Sequence, residues 1–123
     1  MGYWVYVVAI DDDEEYQSIA VSSHTEGGTY AIGGTDAAEM SVTYNYGPIY
    51  HQYGFSLKQL NEKNAQDALN IIEPVAANLP NAPDNDYWKS SEGNAGHVLH
   101  IIKGWLEQAL AEYPNERTRV LVH

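Results

Sequence analysis

The chain has 123 residues, contains no Cys, and carries 17 acidic against 6 basic side chains, for a formal net charge of −11. This length is close to the commonest domain size, so we expect a single domain over residues 1–123. The absence of Cys excludes disulfides and thiolate metal sites, and the scarcity of Lys and Arg disfavours direct binding to nucleic acid.

The first predicted element is a strand over residues 3–10, whose apolar, β-branched and aromatic residues predict a central strand covered on both faces. The acidic run from Asp11 to Glu15 ends it, because adjacent carboxylates repel one another and belong in a solvated turn. No basic leader precedes the strand, and no apolar run approaches the ~20 residues of a membrane span. We therefore expect a soluble, cytoplasmic protein without a membrane partner.

Three more strands are predicted before the middle of the chain. Residues 18–22 and 29–32 form short strands, with glycine-containing turns at 24–28 and 33–36. Residues 39–46 alternate strictly, which places Met40, Val42, Tyr44 and Tyr46 on one face of a strand. Because the connections are short, an antiparallel meander is the natural topology.

The period then changes from two residues to the 3.6 of a helix. Pro48 suits the first turn of a short helix that Gly54 ends. Asn64 is a good N-cap for a second helix from Ala65 to about Asn78, in which Pro74 predicts a kink or the end of the regular part. Two prolines between residues 79 and 86 predict a loop.

The last helix has the clearest pattern in the sequence. Ser90 or Ser91 can cap it, it extends to about Tyr113, and its apolar stripe runs from Val98 to Leu110. The residues after it predict either an edge strand or a disordered tail. The fold class is therefore α+β, an N-terminal antiparallel meander of three to four strands packed by about three helices, the long C-terminal one dominant.

Two neighbouring features point to binding. Four tyrosines lie within residues 44–53, and Tyr is favoured at contact surfaces, although a core role for Tyr44 and Tyr46 is the alternative. The glycine-rich start of the last helix resembles an anion cradle, and close packing against Trp88 is the alternative there. The candidate binding residues are Tyr44, Asn45, Tyr46, Tyr50, Tyr53, Trp88, Asn94 and His97.

The sequence assigns no metal, cofactor or catalytic residue. His97 and His100 have a spacing that can share a metal, but nothing in the spacing selects a third ligand among His24, His51 and Glu92. There is no Cys nucleophile and no Gly-x-Ser-x-Gly motif. We therefore favour a binding protein over an enzyme, with a small hydrolase that uses His51 and His97 as a third hypothesis.

The negative charge is concentrated in the first half of the chain. Residues 1–57 contain no Lys or Arg, and the first basic residue is Lys58. This distribution predicts a protein partner with a basic surface, although acidity that only maintains solubility is the alternative. The candidate contact residues are Asp11, Asp12, Asp13, Glu14 and Glu15.

Four segments carry a resemblance: residues 28–35 (GTYAIGGT), 42–46 (VTYNY), 86–89 (DYWK) and 92–99 (EGNAGHVL). Over residues 25–112 the chain resembles a group of small proteins without assigned activity that bacteriophages, prophages and other mobile elements encode. The resemblance implies an accessory protein that antagonises a host defence protein by covering a basic surface or by sequestering a signal. It implies no catalytic residues.

Three functions follow from the sequence. The leading hypothesis is a non-catalytic accessory protein that docks through its acidic surface, the second is a small-ligand, nucleotide-like binding or sequestering protein, and the third is a small hydrolase. If two or more of the block's tyrosines are exposed, a homodimer through that face is expected.

Overall fold

The computed structural model describes residues 2–21, 29–31, 37–86 and 88–123, and of residues 29–31 it describes only the backbone. One antiparallel sheet packs against helices, which confirms the α+β class and the long C-terminal helix. The elements are β1 (Gly2–Ile10), β2 (Tyr16–Ser18), β3 (Thr29–Ala31), β4 (Glu39–Thr43), α1 (Gly47–His51), α2 (Ala65–Ala76), α3 (Glu92–Glu112) and β5 (Thr118–Val122), with 3₁₀ segments at Tyr44–Tyr46, Leu57–Leu60 and Asn115–Arg117.

Strand β1 is the centre of the sheet, as predicted. Its residues 2–6 pair with β4, residues 8–10 with β2 and residues 5–9 with β5, all antiparallel. Because these ranges overlap, β5 lies on one side of β1 while β2 and β4 share the other, and β3 pairs with the outer side of β4. The strand order is therefore not that of a simple meander, since β1 pairs with β4 and β5 as well as with β2.

The core lies on one face of the sheet. Alternate residues of the central strands are buried there against α2 and α3: Val5, Val7, Ala9, Met40, Val42, Val120 and Val122. The opposite face leaves Trp4 37% and Tyr16 53% exposed. The prediction that β1 is covered on both faces is therefore wrong for the first half of the strand.

Both long helices begin at predicted caps. The Asn64 side chain accepts from the Asp67 backbone N–H at 2.9 Å, and Ser91 Oγ accepts from the Asn94 N–H at 3.2 Å, which satisfies N–H groups that a helix start leaves without partners. Pro74 lies two residues before the end of α2, so the helix ends slightly earlier than predicted.

The residues after α3 form strand β5 rather than a disordered tail. Trp4 and His123 exchange backbone hydrogen bonds of 3.0 and 2.9 Å beside it. On its other side, Glu62 N–H donates to the Val120 carbonyl at 2.7 Å and Val120 N–H donates to the Lys63 carbonyl at 2.8 Å. Residues 61–63 therefore cover the edge of the sheet, which would otherwise expose unpaired backbone groups.

Two predicted strands have different bounds in the structure. The second strand covers residues 16–18 rather than 18–22, and beyond it only a single bridge joins Ala20 to Ala37. Strand β4 ends at Thr43 instead of continuing to residue 46. The predicted turns at 24–28 and 33–36 lie outside the described residues. Within the described parts of the chain, no helix combines the length and apolarity needed to cross a bilayer.

Candidate ligand-binding cavity and acidic turn

The candidate site begins where β4 ends. Thr43 Oγ1 accepts a hydrogen bond of 3.2 Å from the Asn45 N–H, which caps the 3₁₀ turn at Tyr44–Tyr46. Helix α1 follows directly with Pro48 in its first turn, and Gly54, at a φ of 66°, ends that segment with an N–H that donates to the His51 carbonyl. Residues 43–54 therefore form a compact series of a turn, a short helix and a second turn.

Buried aromatic rings form the base of this region. Tyr46 and Tyr50 meet edge to face at 6.4 Å, and Tyr50 meets Phe55 in the same way at 5.3 Å. The Tyr50 hydroxyl donates to the Ala95 carbonyl of α3 at 2.8 Å. Burial raises the pKa of both Tyr46 and Tyr50 above the usual value for tyrosine, so both hydroxyls stay protonated at neutral pH.

A cavity of about 390 Å³ lies beside these rings, and Tyr50 is the one of the three that lines it. Its volume falls in the range of roughly 300–1,000 Å³ that is typical of small-molecule sites. One wall is the edge-to-face pair of Tyr3 and Tyr44, whose ring centroids are 4.7 Å apart. The lining residues are Tyr3, Thr43, Tyr44, Gly47, Pro48, Tyr50, His51, Ser56, Leu57 and Lys58.

The charge of this lining differs from that of the chain as a whole. None of the described lining residues is Asp or Glu, although acids outnumber bases 17 to 6 in the sequence. The exposed side chains of His51 and Lys58 supply the basic groups. Lys58 is held at the start of the Leu57–Leu60 segment, where Ser56 Oγ accepts from its backbone N–H at 3.4 Å.

Only part of the predicted tyrosine block lines the cavity. Tyr44, which is 46% exposed, and the buried Tyr50 belong to the lining. Tyr46 is fully buried, and Tyr53 is 36% exposed outside the lining. Because β4 ends at Thr43, Tyr44 and Tyr46 do not share a strand face, and that part of the prediction is wrong.

Asn45 ties the 3₁₀ turn to the loop before α3. Its side-chain amide donates to the Trp88 carbonyl at 2.7 Å, and its own carbonyl accepts from Ser90 Oγ at 2.7 Å. Neither Asn45 nor Trp88 is among the residues that line the cavity. Their contribution in the structure is to hold the turn that carries Tyr44.

Asn94 is fully buried and organises the same loop. Its Oδ1 accepts from the Asp84 N–H at 2.7 Å, while its Nδ2 donates to the carbonyls of Asp86 and Lys89 at 3.1 and 2.9 Å. The side-chain amide is thereby engaged by the protein itself. Tyr50, Trp88 and Asn94 therefore do not converge on one open cleft.

The glycines at the start of α3 serve close packing. A Cβ on Gly93 would lie 2.0 Å from the Ala82 carbonyl oxygen, and a Cβ on Gly96 would lie 2.1 Å from that of Pro80. Backbone oxygens of the preceding loop therefore pack directly against both glycines. This arrangement favours the packing alternative, with Pro80–Ala82 as the neighbour.

The two histidines of α3 contact the same loop. His97 Nδ1 lies 2.7 Å from Asn81 Oδ1, and His100 Nε2 lies 3.5 Å from the Leu79 carbonyl oxygen. Among the residues that the structure describes, no group of three or more His, Asp or Glu side chains is placed to hold a metal ion. No described hydrogen bond joins His97 to His51.

Sequence reasoning did not identify Tyr3, Thr43, Ser56 and Lys58 as site residues. Tyr3 reaches the cavity because β1 pairs Tyr3 with Val42 of β4, a contact between distant parts of the chain. Lys58 carried one sequence signal, as the first basic residue after a long acidic stretch. The position of Lys58 in the sequence indicates only where the acidic half of the chain ends.

The acidic turn after β1 is a defined structure. Asp11 Oδ1 accepts from the N–H groups of Asp13 and Glu15, both at 2.9 Å, and Oδ2 accepts from the Gln17 amide at 2.7 Å. These hydrogen bonds, the one from the Glu15 N–H first, lower the pKa of Asp11. The Asp11 carboxylate therefore stabilises the turn itself.

One of the predicted contact acids is matched by a cation from within the chain. Arg117 Nη1 lies 2.9 Å from Glu14 Oε1, and the hydrogen bond and charge of Glu14 raise the pKa of Arg117. The side chains of Asp12, Asp13 and Glu15 are exposed. Two of the five acids are therefore engaged within the chain, Glu14 by Arg117 and Asp11 by hydrogen bonds in the turn, although Glu14 is still exposed.

Comparisons with models of protein families, with curated protein sequences and with solved structures give no match. The resemblance to proteins of mobile elements therefore remains a prediction, and the fold and the cavity are the basis for any assignment of function.

Proposed function

We propose that this protein is a non-catalytic binding protein that holds a small molecule with a planar ring in the cavity beside Tyr44. The observation that carries the proposal is the edge-to-face pair of Tyr3 and Tyr44, 4.7 Å apart, in a lining that includes the buried side chains of Tyr50 and Leu57. Aromatic walls over an apolar floor favour a flat ring, because stacking and burial act together there.

The lining favours binding over catalysis. General acid–base or nucleophilic catalysis requires a base within hydrogen-bond reach of its partner. Ser56 Oγ is engaged by the Lys58 backbone, and no described hydrogen bond connects it with His51. None of the described lining residues is a carboxylate that would orient His51.

A ring-panel titration tests the proposal. The four common ribonucleosides and their 5′-monophosphates would be titrated into labelled protein while the backbone amide signals of Tyr44, Gly47, Ser56 and Lys58 are followed by NMR. We expect saturable shifts at these amides with at least one ring compound. Tyr44→Ala should weaken this binding roughly fivefold or more, since a stacked ring contributes about 1–3 kcal/mol.

Tyr16→Ala is the matched control, because Tyr16 is also about half exposed but lies on β2 and outside the cavity lining. It should bind like the unmodified protein. If no panel member shifts the cavity amides, or if both variants bind equally well, the proposal is wrong.

The acidic turn supports a second candidate function, docking on a basic protein surface. The specific observation is that the Asp11 hydrogen bonds fix the turn while Asp12, Asp13 and Glu15 remain exposed. A turn with a fixed backbone loses less freedom on binding than a mobile one, and its exposed carboxylates attract a basic partner over about a Debye length. In the setting that the resemblance implies, this partner would be a host defence protein.

This second function is tested with purified basic host proteins as defined partners. Binding should fall when salt is raised from about 50 to about 500 mM, because the Debye length shortens. Asp12→Asn with Asp13→Asn should also weaken it, and the exposed pair Glu73→Gln with Glu107→Gln is the charge-matched control. Binding whose affinity changes neither with salt nor in the variant Asp12→Asn with Asp13→Asn would count against electrostatic docking.

A further inference from the structure

Two basic residues of the cavity lining, His51 and Lys58, which we call the basic rim, indicate the chemistry of the ligand more closely. The chain has 6 Lys and Arg against 17 acids, yet the described lining contains Lys58 and His51 and no carboxylate. A cavity that served a neutral or cationic ring would gain nothing from this local reversal of charge. In a molecule of net charge −11, an anion is repelled by most of the surface, so a site that accepts one needs such a reversal.

Three other cations of the chain are already engaged. Lys89 Nζ lies 3.5 Å from Asp84 Oδ2, and Arg117 pairs with Glu14 at 2.9 Å. Arg119 donates to the backbone carbonyls of Glu116 and Thr118. Lys58 forms no ion pair with any residue that the structure describes, and its exposed ammonium group is therefore available to a ligand at the rim.

Local structure fixes the backbone of the basic rim. His51 is the last residue of α1, Gly54 N–H donates back to its carbonyl, and the Gln59 side chain donates to the Gly54 carbonyl at 3.3 Å. Ser56 then caps the segment that carries Lys58. His51 and Lys58 thus line the same cavity from two different segments, and Tyr3 and Tyr44 belong to the same lining.

We infer that the cavity binds a planar ring that carries an anionic group, the chemistry of a nucleoside monophosphate, with Lys58 as the residue that selects the anion and the Tyr3–Tyr44 wall as the surface that receives the ring. This inference rests on the proposed function, because it assumes that the cavity is a ligand site. His51 supplies a second donor to the same anionic group. Hydrogen bonds between such donors and an anion are shorter and stronger than those between neutral groups.

The test compares charged and uncharged forms of the same ring. Adenosine 5′-monophosphate and adenosine would be titrated separately into the full chain, into Lys58→Ala and into Lys63→Ala, with calorimetry and NMR as readouts. Lys63 is the matched control, because it is exposed, lies five positions further along the chain and is not among the cavity lining residues.

The unmodified protein and Lys63→Ala should both bind the monophosphate roughly 10-fold or more tightly than adenosine, and Lys58→Ala should lose that preference. Equal binding of the two compounds by the unmodified protein would overturn the inference while leaving the proposed function intact. A Lys58→Ala variant that keeps the preference would also overturn it. Inorganic phosphate that competes as well as the monophosphate would show that the ring adds nothing, which would contradict the proposed function itself.

Discussion

The hydroxyl of Tyr50 donates a hydrogen bond of 2.8 Å to the backbone carbonyl of Ala95, and both residues are buried. This contact joins α1, which forms the base of the cavity, to the first turn of α3. Helix α3 is the longest element of the fold and contributes nine buried residues, so the cavity base is attached to the most extensively packed part of the molecule.

Tyr50→Phe should therefore destabilise the protein while its ring contacts with Tyr46 and Phe55 persist. The loss should be about 1 kcal/mol, the usual net contribution of a buried hydrogen bond. Urea unfolding measures it, with Tyr53→Phe as the control, since Tyr53 is 36% exposed and its loss of a hydroxyl should cost little. Equal stability of the two variants would contradict the importance of the Tyr50–Ala95 contact.

Two glycines of α3 should respond to alanine in opposite directions. Gly96→Ala places a methyl group 2.1 Å from the Pro80 carbonyl oxygen, so we expect destabilisation of about 1–3 kcal/mol from overpacking. Gly104 has open space around its Cβ position in the same helix, so Gly104→Ala should stabilise by up to about 1 kcal/mol. Thermal unfolding of both variants checks the sign, and a stabilised Gly96→Ala would refute the close approach of the loop.

Asn94→Ala should destabilise the loop that precedes α3. The change leaves the Asp84 N–H and two backbone carbonyls without their side-chain partner, at a cost of about 1–3 kcal/mol for buried polar groups. Hydrogen exchange at the Asp84 amide should accelerate as well. Asn70→Ala, which removes only an exposed contact with Gln66, is the control, and similar losses in both variants would speak against this role of Asn94.

The acidic turn should lose stability only in acid. The pKa of Asp11 is lower in the folded protein than the unfolded value of about 3.9, so its contribution is fully present above that value and disappears as pH falls through the folded pKa. The difference in unfolding free energy between the unmodified protein and Asp11→Asn should be constant near neutrality and shrink below about pH 4. An NMR titration of the Asp11 carboxyl provides the pKa directly.

Asp13→Asn is the companion variant, because Asp13 offers the turn its backbone N–H rather than its exposed carboxylate. Because it keeps the Asp11 hydrogen bonds, its stability should fall in acid as that of the unmodified protein does. A normal titration of Asp11, or the same pH profile for both variants, would remove the basis of this prediction.

Residue patterns within a few positions of one another correctly predicted the elements that short-range side-chain and backbone interactions determine. The caps Asn64 and Ser91, the turn at Gly54 and the amphipathic helix α3 follow from side-chain chemistry within a few residues. The strand predicted over residues 39–46 ends before Tyr44. A hydrogen bond from the Asn45 N–H to Thr43 Oγ1 stabilises a turn there, and this turn competes with further strand pairing.

The cavity was beyond sequence reasoning for a different reason. Its wall requires Tyr3 beside Tyr44, which follows from the pairing of β1 with β4 and not from any spacing along the chain. The same strand order is the reason that the sheet is not a simple meander. Sequence reasoning found Tyr44 but not Tyr3, because only the tertiary structure shows which tyrosines share a surface.

The pairing of β5 with β1 has a consequence for how the molecule is made. Residues 118–122 complete the side of β1 that the earlier strands leave open, and Trp4 exchanges hydrogen bonds with His123 across the whole length of the sequence. During synthesis β1 emerges before β5, so β1 can pair on this side only after residues 118–122 have been made. Contacts this distant in sequence slow folding, so we expect one side of the central strand to stay unpaired until residues 118–122 are available.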